Sequence, residues 1–143
     1  MGNLKQRLIK AGRDYNYAEG VKVLNASGSD IAADKIVYFA GHDGPYLKIA
    51  LADASAAVTC SGRLMITKHA IPNNGYGVVL PWKLVTGVDT SGVSAAGAPL
   101  YLSDTEGAFS ASAGSVTVYV GHALTDATDG AYLFCGEGSN RTA

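Results

Sequence analysis

The feature that most constrains this chain is a two-residue hydrophobic alternation that recurs from Val21 onward and is cut at short intervals by turn residues. Val21 and Val23 open the series with a short strand that ends near Asn25. "KIVYFAG" sets Ile36, Tyr38 and Ala40 against Val37 and Phe39. "YLKIALAD" sets Leu47, Ile49 and Leu51 against Tyr46, Lys48 and Ala50. "GRLMITKHAI" sets Leu64, Ile66 and Lys68 against Met65, Thr67 and His69. "GVVLPWKLVTGV" places Val78, Leu80, Trp82 and Leu84 on one side, and "PLYLSD" follows. "VTVYVGHAL" keeps Val116, Val118 and Val120 in register, and "AYLFCGE" closes the series. Side chains alternate faces along a strand, so about eight short runs of this kind predict an all-β sandwich or barrel. The breaks carry turn chemistry: Asp43-Gly44-Pro45, Asn74-Gly75 and Asp129-Gly130. Pro81 has no amide hydrogen to donate, so its run is an edge strand, or is bulged or split there. "DASAAVTCSG" reads as a loop or a short helical turn, and no helix longer than about ten residues is expected.

Residues 1–19 break the pattern. Lys5, Arg7, Lys10 and Arg13 are four of the chain's 11 basic residues, and Leu4, Leu8 and Ile9 lie among them, followed by Tyr15 and Tyr17. The apolar content is too low for a fixed shape alone and the segment too short for an isolated helix. It reads as an N-terminal arm that orders on a partner, ahead of one β-rich domain over 20–143, with Leu4, Arg7, Leu8, Ile9, Tyr15 and Tyr17 as contact residues.

The search for chemistry is negative at each motif. No glycine-rich loop precedes Lys-Ser or Lys-Thr, and no Gly-x-Ser-x-Gly elbow occurs. His42, His69 and His122 lie on separate runs without metal-ligand spacing. The acids Asp104, Glu106, Asp126 and Asp129 sit in turns. Cys60 and Cys135 read as buried free thiols, a disulfide between them requiring that they face each other. The expectation is no enzyme, no metal and no cofactor. A net charge of −1 argues against nucleic acid as a direct partner. No run of 18 apolar residues marks a membrane span, and the N-terminus lacks the apolar core of a signal peptide, so synthesis in the cytoplasm is expected. Charged residues make up only 16% of the chain, against about 25% in an average soluble protein. Part of the surface must then be Gly, Ala, Ser and Thr, or be covered by another subunit.

The stretch from about Gly77 to Gly130 resembles the small capsid decoration, or cement, proteins of tailed bacteriophages. The residues that carry the resemblance are Gly77-Val78-Val79, then Ala96-Gly97-Ala98-Pro99-Leu100-Tyr101-Leu102 with Gly107, then Val120-Gly121-His122-Ala123-Leu124 with Gly130. Pro81-Trp82 and the first twenty residues lie outside the shared pattern. The resemblance implies a compact β-barrel or β-tulip-like domain with an extended arm. It also implies a homotrimer on the exterior of an icosahedral capsid, bridging neighbouring major capsid proteins, with Gly97, Pro99 and Gly107 as structural turn residues. Two other classes fit the size. A carbohydrate- or receptor-binding β-module of a phage tail or fibre would use exposed aromatics such as Trp82 and Tyr76. A small trimeric nucleotide hydrolase would need a phosphate motif of which "GEGSNRTA" is a faint echo.

Overall fold

The computed structural model describes residues 20–136. Ten strands occur among them, more than the eight runs expected, because one run is divided and a two-residue strand is added. Five strands close a barrel: β1 (Val21–Asn25), β2 (Ile36–Asp43), β3 (Tyr46–Leu51), β4 (Leu64–Thr67) and β5 (Tyr76–Leu80), in the order β1-β3-β2-β4-β5. All neighbours are antiparallel except β1 and β3, which run parallel. The remaining five form an antiparallel sheet: β6 (Trp82–Val88), β7 (Pro99–Leu102), β8 (Phe109–Ser110), β9 (Tyr119–Ala123) and β10 (Gly130–Cys135), in the order β6-β10-β9-β7-β8. The Ala- and Ser-rich stretch before Cys60 contributes a 3-10 turn, Ala57–Thr59.

Pro81 is the point of division. Leu80 ends β5 in the barrel and Trp82 begins β6 in the second sheet, so the chain changes sheets across one residue. A proline cannot continue a ladder through its own nitrogen, and here its carbonyl accepts from the Gly136 amide instead.

The alternation has two destinations. Val23, Val37, Ile49, Met65 and Val79, one from each barrel strand, join Ile31 and Ile71 to fill the barrel. Their neighbours of opposite phase, Ile36, Leu64, Ile66 and Leu80, form a second core with Val85, Leu100, Leu102, Val120, Tyr132 and Phe134 of the other sheet. All four residues of β4 are therefore buried. The wall of the barrel serves as one layer of a sandwich, a close-packed arrangement of the kind that buried β layers adopt.

One barrel end is plugged. The Asn25 side chain, fully buried, donates to the carbonyls of Ile71 and Ser29 and accepts from the Ser27 amide and hydroxyl. Ile31 and Ile71 bridge beneath it. Nearby, the Thr67 hydroxyl donates to the Ala32 carbonyl and accepts from the Lys35 amide. At the other end the described residues form a recess of about 490 Å³, lined by Gly20, Val21, Phe39, Leu47, Arg63, Met65 and Pro81.

The turn residues have distinct placements. Gly97 takes φ +90° and its amide donates to the Ala123 carbonyl at 2.7 Å. Pro99 is the first residue of β7, opposite His122. Gly107, buried, donates to Ala52 O and accepts from the Ile36 amide, tying the loop after β7 to the barrel. No other atom lies within 4 Å of a β-carbon placed on Gly97. Gly97→Val should therefore cost at least the backbone strain of a left-handed residue, about 1–2 kcal/mol. A urea midpoint matching the parent would show that this corner relaxes freely.

Candidate interaction surface

The outward face of the second sheet departs from the rule that a half-buried antiparallel sheet turns polar residues to solvent. The register places Leu84, Leu133, His122 and Pro99 in one row across β6, β10, β9 and β7. Trp82 opposite Cys135, and Tyr119 opposite Tyr101, extend it. Trp82 is 57% exposed, Leu84 54% and Tyr119 47%, while the alternate residues Val85, Val120, Tyr132 and Phe134 are buried. The Tyr101 and Tyr119 rings stack with centroids 4.8 Å apart. A hydrogen bond with Tyr119 pushes the Tyr101 hydroxyl above the ordinary phenol range. Trp82 and Leu84 also lie on an edge strand, since β6 pairs with β10 on one side alone. Exposed aromatic and aliphatic side chains in contiguous rows are the composition of a protein contact surface.

A smaller aromatic group lies on the barrel. Tyr46 and Tyr76 meet edge-on at 4.9 Å, and the Lys22 ammonium sits 5.4 and 5.3 Å from their centroids. This is cation–π geometry, which fixes the lysine over the rings. Trp82 and Tyr76 thus belong to different bodies of the fold, one on the sheet and one on the barrel.

The titratable groups perform structural work. Burial opposes charge on Asp53, but hydrogen bonds from the Ser55 hydroxyl and amide and from the Thr59 hydroxyl outweigh it and hold the carboxyl below its usual range. Burial, and then the Asp53 charge, push the Cys60 thiol up, so it is protonated near neutral pH and a poor nucleophile. Both cysteines are free, Cys60 buried and Cys135 half-buried. Burial, with Asp34 nearby, raises the Tyr132 hydroxyl as well. An ion pair joins Lys83 of β6 to Asp34 of the barrel. Among the described residues no cluster of three or more His, Cys, Asp or Glu side chains could hold a metal ion, and no helix is long and apolar enough to cross a membrane.

The arm residues Leu4, Arg7, Leu8, Ile9, Tyr15 and Tyr17 lie outside the described residues. Gly97, Pro99 and Gly107 hold the loops that flank β7, and Pro99 alone of the three stands on the outward row. The row of Trp82, Leu84, Leu133 and Tyr119 was absent from the sequence expectations. Its available signal was the apolar character of both phases in β10 and the pair Trp82 and Leu84 in β6. Compared with protein-family models, curated proteins and solved structures, the chain matches none.

Proposed function

We propose that this chain is a structural virion protein that binds the outside of an icosahedral phage capsid and stabilises contacts between major capsid proteins. The observation that carries the reading is the apolar outer face of the second sheet, with Trp82, Leu84 and Tyr119 about half exposed. The resemblance in the stretch from Gly77 to Gly130 supplies the partner. Three copies around a capsomer joint would cover this face and the β6 edge, and closed symmetry removes edges that would otherwise recruit further strands. The arm adds a second contact, its apolar residues in shallow pockets and its cations on acidic rims. Decoration then works by added buried area, a standard interface burying about 1,600 Å² in total.

Undecorated shells test this directly. Trp82→Ser/Leu84→Ser should weaken shell binding about tenfold or more, as removal of an aromatic anchor does at interface hot spots. Deletion of residues 1–13 should weaken it too and flatten its salt dependence, leaving the β-fold intact. Binding by both variants equal to the full chain would refute the reading. The exposure of Trp82 also supports a second reading, a carbohydrate-binding module of a tail or fibre. Binding on a glycan array that is lost in Trp82→Ser, without shell binding, would favour it.

A further inference from the structure

A cavity of about 320 Å³ lies where the chain leaves β6. The loop after Val88 forms one wall, with Asp89, Ser91 and Val93. Phe109 of β8 forms the other, and Leu100 of β7, fully buried, makes the floor. The site stands apart from both ends of the described residues. Val21, next to Gly20, pairs with Val79, and the Gly136 amide donates to the Pro81 carbonyl, so both ends lie near the start of β6. The cavity lies past its other end, roughly 20 Å away along a strand of seven residues.

The walls are fixed from behind. Thr90, 2% exposed, donates its hydroxyl to the Thr125 and Ala127 carbonyls and its amide to Ala127. The Val93 amide donates back to the Thr90 carbonyl. The Phe109 ring packs on the buried Tyr132 ring, with centroids 4.4 Å apart. A cavity held in shape by its own protein loses little to ordering when a ligand enters.

The exposed polar side chains of the loop are left as acceptors. The Ser91 hydroxyl gives its proton to Asp89 Oδ1 at 2.6 Å, and the Ser91 amide donates to the same oxygen at 2.9 Å. These bonds hold the Asp89 carboxyl below its usual range. Among the described residues Asp89 Oδ2 has no hydrogen-bond partner and Asp89 has no ion-pair partner. Ser110 also borders the cavity, but it shares its phase with Tyr101 on the outer face and its hydroxyl oxygen takes the Ser112 amide. What remains is a negative charge and lone pairs beside Val93, Leu100 and Phe109. A fitting ligand must bring the hydrogen-bond donors, the positive charge and an apolar stem. A neutral ring would leave the carboxylate unmatched, and an anion would be repelled. A primary alkylammonium has three donors and no acceptor, on a chain that buries along apolar surface.

We propose that this cavity binds a primary alkylammonium group, its nitrogen on Asp89 Oδ2 and the Ser91 hydroxyl oxygen and its methylene stem along Val93, Leu100 and Phe109. A lysine side chain of a partner protein and a free aliphatic diamine share this chemistry. None of these residues belongs to the Trp82 row, so the site is separate from the outer face.

The test is an NMR titration of the full-length chain without shells. Nα-acetyl-lysine methylamide should shift the Val93 and Leu100 methyls and the Ser91 amide, and the shifts should saturate. The norleucine analogue, equal in stem but lacking the ammonium, should bind at least about tenfold more weakly. Asp89→Asn should weaken the lysine probe by about tenfold too, while Asp43→Asn, at the exposed end of β2, should leave it unchanged. Putrescine separates the two sources. Tighter binding of putrescine identifies a free amine and tighter binding of the lysine probe a partner's side chain, and either result supports the site. Silence of both amines would overturn the proposal. Equal binding of the norleucine analogue would overturn it as well, by making the cavity merely apolar. So would equal weakening by Asp43→Asn, which would trace the effect to overall charge. No shell takes part, so failure here leaves the capsid reading standing, and the reverse holds too.

Discussion

Gly121→Ala is expected to destabilise the protein by about 4 kcal/mol, a large share of the roughly 5–15 kcal/mol that holds a typical domain folded. Two effects add. Gly121 sits at φ +148°, where a residue with a β-carbon is strained by about 1–3 kcal/mol. The added carbon would also stand 1.9 Å from the Leu133 carbonyl oxygen, which belongs to the neighbouring strand. Backbone cannot rotate away as a side chain can, so β9 and β10 must part, and overpacking of this kind costs about 1–3 kcal/mol more. Gly97→Ala is the control, being strained in φ but with open space around it. Urea unfolding followed by circular dichroism should show Gly121→Ala shifted well beyond Gly97→Ala. Equal midpoints would mean that the β9 bulge opposite Leu100 and Tyr101 tolerates a β-carbon.

Phe134→Ala should cost about 3–5 kcal/mol, the range for truncating a buried aromatic. Phe134 is fully buried in the core between the barrel wall and the second sheet, and Tyr132, two residues before it, is 1% exposed. At about 2–4 °C per kcal/mol for a domain of this size, the thermal midpoint should fall by roughly 10 °C. Both sheets contribute to this core, so loss of signal from the barrel and from the second sheet should coincide. Two separate transitions, with the barrel melting at the parent temperature, would show that the sheets fold independently.

The strand content was readable in the sequence because alternation and turn residues agree at most breaks. Asn74-Gly75 and Asp43-Gly44-Pro45 stand where β5 begins and where β2 meets β3. What alternation could not assign was the destination of each phase. In β4, Leu64 and Ile66 face one core and Met65 faces another, so the pattern that marks two faces says nothing about which is solvent. Pro81 hid a further change. A continued phase put Leu80 and Trp82 on one face, yet Leu80 is buried and Trp82 exposed because they belong to different sheets. The make-up of the outer row could not be read from any one strand, since Trp82, Tyr119 and Pro99 come from three strands and meet through register alone.

The pairing of β1 on both sides has a mechanical consequence. A pull on the arm enters the fold at Gly20 and travels along the axis of β1. That strand is hydrogen-bonded to β3 along one edge and β5 along the other. Tension along its length loads two ladders in shear together, whereas a strand at a free edge peels open one bond at a time. Forced unfolding is governed by the rate at which such a barrier is crossed. Residues 1–19 thus join the fold at a strand held on both sides, as closure of the barrel holds each of its five strands.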